Sequence, residues 1–210
     1  MEVNGLVVIV AAPSGAGKTT LVRYLLSVYP QLEFSVSACN RPKRDVETHG
    51  KDYYFISTEE FLERVRNEEF VEYEEVYPNN YYGTLKSELQ RIWSHGRVVL
   101  FDVDVHGGLE LKVKFAEKAL ALFIKPPSME ALEQRLRHRA TESDQKIKMR
   151  LEKAAYEMEY EKRFDKVVLN DTLEHGKEAI ALMIGNALPP PFIKAHANAL
   201  KKGLLLARCR

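Results

Sequence analysis

The sequence predicts an α/β fold in which a parallel sheet is covered by helices. Three observations predict it: short runs dominated by apolar, β-branched residues, helix-period segments alternating with them, and a glycine-bearing turn joining the first run to the first helix.

Leu6–Ala11 (LVVIVA) is apolar throughout and reads as a fully buried strand. After the turn, Thr19–Val28 carries Leu21, Val22, Leu25 and Leu26 at helical spacing. Val98–Val103, Ala119–Ile124 and the shorter Val167–Leu169 read as further buried strands. Ser128–His138 is a helix with Ser128 as N-cap after two prolines. Gln145–Phe164 places Ile147, Leu151, Ala154 and Met158 on one stripe, and Leu173–Ile184 closes the series.

Residues 35–97 break this alternation. Tyr53–Ile56 and Phe70–Val76 are shorter, more polar strands, and Ser57 with Glu60 three residues on is a capping-box signature. This stretch reads as an inserted mixed α+β subdomain, flanked by a core of residues 1–34 and 98–188. Pro189–Pro191 end the last helix; the tail 189–210 carries five Lys/Arg and no acid, and reads as a loosely held extension.

A chain of 210 residues, 45% hydrophobic, is long enough for one globular unit with a small insert. Lys and Arg (31) balance Asp and Glu (30), which argues against a nucleic-acid partner held by a global field. Anions must be bound by local clusters. The two cysteines, Cys39 and Cys209, lack metal-ligand spacing; no apolar run is membrane-length, and the N-terminus lacks a cleavable signal pattern. The expectation is a cytosolic protein with no membrane partner.

Ala12-Pro13-Ser14-Gly15-Ala16-Gly17-Lys18-Thr19 lies between the first strand and the first helix. It meets the P-loop pattern G-x-x-x-x-G-K-[ST] everywhere except its first glycine, here Ala12. In such a loop backbone N–H groups from Ser14 through Thr20 converge on phosphates, and the helix adds its positive end. Lys18 reaches the β- and γ-phosphates and the Thr19 hydroxyl holds Mg²⁺. Asp102 ends a buried strand, where a carboxylate can hold Mg²⁺ directly or through water; a cap or a loop salt bridge is the competing role.

Arg41 and Arg44 stand three apart on an extended, proline-containing stretch, a spacing that suits a phosphate dianion. Further on come Gly50-Lys51-Asp52-Tyr53-Tyr54-Phe55, Glu69-Phe70-Val71-Glu72-Tyr73, Asn80-Tyr81-Tyr82-Gly83-Thr84, Asp102-Val103-Asp104 and Pro126-Pro127-Ser128. In this order, over roughly residues 5–186, these motifs resemble the guanylate kinase family.

The resemblance implies a P-loop core, a guanylate-binding insert (35–97) and a short lid at about 135–150. It implies an enzyme that moves the γ-phosphoryl group of Mg-ATP to GMP, with dGMP a further candidate acceptor. The acceptor phosphate matches Arg41, Arg44, Tyr53 and Tyr82, and guanine matches Ser37, Glu72, Thr84 and Asp104. Lid arginines match Arg135, Arg139 and Arg150, and an adenine-side asparagine matches Asn170; Lys18, Arg41, Arg139 and Arg150 would carry the catalytic charge. Tyr54 and Tyr81 are expected to pack in the insert's core. The lid's usual R-G-T is here Arg139-Ala140-Thr141, which predicts stiffer hinging. Two other functions compete: a non-catalytic interaction module on the same fold, which would be expected to lose Lys18 or the lid arginines, and a relative phosphorylating another small acceptor.

Overall fold

A computed structural model describes residues 5–138 and 143–187 of the chain. In chain order the elements are β1 (Val7–Ala11), α1 (Lys18–Val28), β2 (Leu32–Phe34), β3 (Ala38–Cys39), β4 (Tyr54–Phe55), α2 (Thr58–Arg66), β5 (Phe70–Tyr77), β6 (Asn80–Leu85) and α3 (Lys86–Ser94). Then follow β7 (Val98–Val103), α4 (Val105–Phe115), β8 (Ala119–Lys125), α5 (Met129–His138), α6 (Asp144–Met158), β9 (Lys166–Leu169) and α7 (Leu173–Ala187). The described residues form two compact units, one built on Glu33–Val99 and the other on Leu6–Leu32 with the described residues from Leu100 onward.

The larger unit is organised by a sheet of order β2-β7-β1-β8-β9, in which β1 pairs with β8 and β8 with β9 in parallel. Every residue of β1 is buried, and successive side chains of a strand point to opposite faces, so both faces of the sheet are covered. Helix α4 packs on β1 and β8, α7 on β9 and α1. The α/β class read from the apolar runs is the fold observed.

The smaller unit holds a mixed sheet of order β4-β3-β6-β5: β3 runs parallel to β4, and β6 antiparallel to both β3 and β5. Helix α2 begins where its cap predicts, with the Glu60 N–H donating to Ser57 Oγ at 3.1 Å. Its one fully buried side chain, Phe61, stacks on Phe70 at 4.4 Å between centroids. Ala38 and Leu85 complete that core, and Tyr54 and Tyr81 pack against it as expected.

Two readings of local pattern are corrected. The helix expected over 145–164 stops at Met158 and gives way to a 3₁₀ turn at Glu161–Arg163. The break buries Phe164 against Phe123, with centroids 5.3 Å apart, a packing demand that outweighs helical periodicity. Helix α4 is absent from the sequence reading because Gly107-Gly108 are poor helix formers. Asp104 starts it nonetheless, its Oδ1 accepting from the Gly107 N–H at 2.9 Å.

Candidate functional site

The P-loop is built from the end of β1. Gly15 and Gly17 adopt φ of +92° and +94°, a region closed to most side chains, and Gly17 caps α1 with no side-chain hydrogen bond. The first N–H groups of α1 are thus left to a ligand at the positive end of the helix. Ala12 has no positive φ, so its departure from the motif brings no backbone strain.

Lys18, the first residue of α1, pairs with the Asp102 carboxylate at the end of β7 and donates to the Val103 carbonyl at 2.5 Å. Both sequence readings of Asp102, metal ligand and salt bridge, fall on one carboxylate that here faces a lysine. Thr19 and Thr20 are exposed. A cavity of about 270 Å³ is lined by Ser14, Lys18, Thr19, Asp104, Lys153 and Glu157, among others. Arg150 reaches this loop, its NH1 donating to Ser14 Oγ at 3.3 Å.

A second cavity, of about 370 Å³ and also bordered by Gly15 and Gly17, is lined by Thr20, Arg135, His138 and Asn170. Arg135 donates to the carbonyls of Asn170 and Asp171 at 2.8 and 3.1 Å. Asn170 is 5% exposed and its Nδ2 donates to the Ala16 carbonyl at 2.7 Å, so its amide braces the loop. Arg139 lies outside the described residues, as does the tail 189–210.

Asp104 is an N-cap and also stands 3.5 Å from Lys153 Nζ, which is 3.5 Å from the buried Glu157. Burial pushes the Glu157 carboxyl upward, and Lys153 opposes this only in part. Burial lowers Lys153, but the two carboxylates outweigh it and hold the amine above its ordinary value. Neither residue was singled out from sequence. The available signal was their spacing on α6, Arg150, Lys153 and Glu157 at i, i+3 and i+7, which shares one face.

In the smaller unit Arg41, Tyr53 and Tyr82 come together. Arg41 Nε donates to the Tyr82 hydroxyl at 3.2 Å, and the guanidinium lies over the Tyr53 ring at 5.1 Å. The Tyr53 and Tyr82 rings meet edge-on at 5.9 Å, and burial pushes the Tyr53 hydroxyl's pKa up. Glu72 of β5 stands opposite Thr84 of β6, which is 1% exposed. Ser37, just before β3, accepts from the Tyr54 N–H through its carbonyl at 2.9 Å. The Arg44 side chain is exposed, while its backbone N–H donates to Glu47 Oε2 at 2.9 Å. Glu47, unread from sequence, receives Arg41 on both oxygens at 2.6 and 2.7 Å.

A sequence model of the guanylate kinase family matches residues 4–187. Among curated relatives, a guanylate kinase of Bacteroides thetaiotaomicron is 46% identical over 176 residues, 84% of this chain and 86% of the relative. One from Chlorobium luteolum is 42% identical over 188 residues, 90% of this chain and 95% of the relative. A crystal structure of guanylate kinase from Anaplasma phagocytophilum matches with a TM-score of 0.67 at 30% identity, covering 90% of this chain and 89% of that one.

Proposed function

This chain belongs to the guanylate kinase family, and on that premise we propose that it transfers the γ-phosphoryl group of ATP to GMP, giving ADP and GDP. The observation that carries the reading is the geometry of the P-loop: N–H groups at the start of α1 with no side-chain cap, and Lys18 as the first helical residue. An interaction module has no use for that anion site, and this chain keeps Lys18 together with Arg135 and Arg150. In this reading residues 35–97 bind the acceptor, and residues 135–150 form the lid.

Two anionic phosphates must be brought together without repulsion, and the loose transition state leaves little covalent work for the protein. Lys18, Arg150 and Arg139 neutralise the donor's charge, and Arg41 and Arg44, with the Tyr53 and Tyr82 hydroxyls, hold the acceptor phosphate. The attacking oxygen of GMP is already ionised, so no general base is needed. Ser37, Glu72, Thr84 and Asp104 read the guanine. The P-loop atoms and Thr20, with Arg135 and Asn170, border the adenosine side.

The metal donor set is a hydroxyl at Thr19 and a carboxylate at Asp102, hard oxygens that fit Mg²⁺ held jointly with substrate phosphates. Bound there, Mg²⁺ would neutralise charge on the β- and γ-oxygens. Among the described residues no helix is long and apolar enough to cross a membrane. A cytoplasmic place agrees with ATP and GMP as substrates.

The test is a coupled ADP-release assay offering ATP with GMP, AMP, CMP and UMP in separate reactions. Turnover should be confined to GMP. Equal turnover of AMP, or none with any acceptor, would remove the reading.

A further inference from the structure

The geometry points to Glu47 as a positioning residue that holds both arginines of the acceptor-phosphate cluster in their binding pose. It rests on the reading of Arg41, Arg44, Tyr53 and Tyr82 as the GMP phosphate site.

Arg41 has five N–H donors in a rigid fork. Its Nε goes to the Tyr82 hydroxyl, NH1 to the Pro42 carbonyl at 3.0 Å and to Glu47 Oε2 at 2.7 Å, and NH2 to Glu47 Oε1 at 2.6 Å. The guanidinium also lies over the Tyr53 and Phe55 rings at 5.1 and 5.4 Å. Ring contacts and bonded edges together fix its plane and its rotation before any ligand arrives.

Glu47 acts on Arg44 through the backbone. Its Oε2 accepts from the Arg44 N–H at 2.9 Å, its own N–H donates to the Arg44 carbonyl at 3.0 Å, and its carbonyl accepts from Lys43 Nζ at 2.9 Å. The segment from Arg41 to Glu47 is therefore curled around one carboxylate.

A carboxylate on the arginine could equally be a competitor that the phosphate must displace. Its setting argues for a brace. The Arg41 and Glu47 side chains are 14% and 13% exposed, so displacing Glu47 would leave a shielded carboxylate without its cation. The Arg41 and Arg44 bonds hold the Glu47 carboxyl down at about 2, so it stays ionised at any working pH. A phosphate dianion joining the free edge of NH2, the tyrosine hydroxyls and the Arg44 side chain leaves the brace intact. It also meets an arginine that need not be ordered on binding.

The experiment compares wild type, Glu47→Gln and Glu47→Asp by steady-state kinetics, varying GMP and ATP separately. Glu47→Gln keeps the shape but turns an amide NH₂ toward a guanidinium donor. Its GMP KM should rise about 10- to 100-fold while the ATP KM stays within about twofold. Glu47→Asp keeps the charge on a shorter arm and should fall between the two, about 3- to 10-fold up in GMP KM. A purely structural role would lower kcat with the folded fraction and leave both KM values in place. An unchanged or lowered GMP KM in folded Glu47→Gln would overturn the brace, as would an unchanged one in Glu47→Asp if Glu47→Gln does not fold. Wild type that fails to phosphorylate GMP would instead remove the functional reading, and this inference with it.

Discussion

Asn170 and Ala16, 154 positions apart in the chain, are joined by a hydrogen bond from Asn170 Nδ2 to the Ala16 carbonyl oxygen at 2.7 Å. The same amide is wedged between two glycines: a Cβ on Gly17 would overlap its Nδ2, and a Cβ on Gly176 its Oδ1. The P-loop is thus braced from the turn that leads into α7. Gly176→Ala should cost roughly 1–2 kcal/mol, overpacking of about 1–3 kcal/mol set against up to about 1 kcal/mol of better helix propensity. In an Asn170→Ala background the overlap is gone, and the same change should be neutral or stabilising. Urea denaturation of the four proteins closes the cycle. Equal costs in both backgrounds would show that the amide is not what the glycine accommodates.

In the proposed mechanism Lys18 has a role in phosphoryl transfer, separable from its ion pair with Asp102. Lys18→Met should cut turnover by at least about 10²–10³-fold, the scale seen when one preorganised charge-stabilising donor is removed. It also leaves the Asp102 carboxylate, 17% exposed, without its cation and should lower Tm. Adding Asp102→Asn should restore much of the Tm and none of the turnover. Recovery of activity in the double variant would remove Lys18 from phosphoryl transfer.

In the proposed mechanism guanine selectivity rests on Glu72. The guanine edge offers two adjacent donors, N1–H and the 2-amino group, which one carboxylate can accept together. Adenine presents a lone pair at N1, leaving a carboxylate unsatisfied. Glu72→Gln should lower kcat/KM for GMP about 30- to 1,000-fold, a loss of roughly 2–4 kcal/mol, and barely move the ATP KM. A change within about threefold would show that Glu72 is not the guanine reader.

Glu157 predicts a pH dependence of stability. Burial raises its folded pKa above the ordinary carboxylate value of 4.5, so between the two values the native state binds more protons than the unfolded one. Its contribution is fully present below about 4.5 and is lost as pH rises through the folded value. Glu157→Gln cannot ionise, so its Tm relative to wild type should climb as pH rises above about 4.5 and level off once the pH has passed the folded value. A difference that stayed flat or shrank over this range would mean that Lys153 fully compensates the buried charge.

Much of this protein was determined by sequence alone, wherever the signal acts within a few residues. The unbroken apolar run of β1 requires cover on both faces. Gly15 and Gly17 supply left-handed backbone just where a helix begins, and Ser57 caps α2 through the residue three places on. Arg41, Tyr53 and Tyr82 could be picked out by motif, but only their convergence in the fold makes one cluster of them. The tertiary structure alone decided the end of α6, set by a place for Phe164, and the start of α4 despite two glycines. It alone turned Asn170 into a strut for the P-loop and brought Asp104 to Lys153. Capping, turns and periodicity are local energies, legible in the order of residues. A hydrogen bond or ion pair closed across a long stretch of chain depends on the path between its ends, which is settled only when the sheet and its helices have packed.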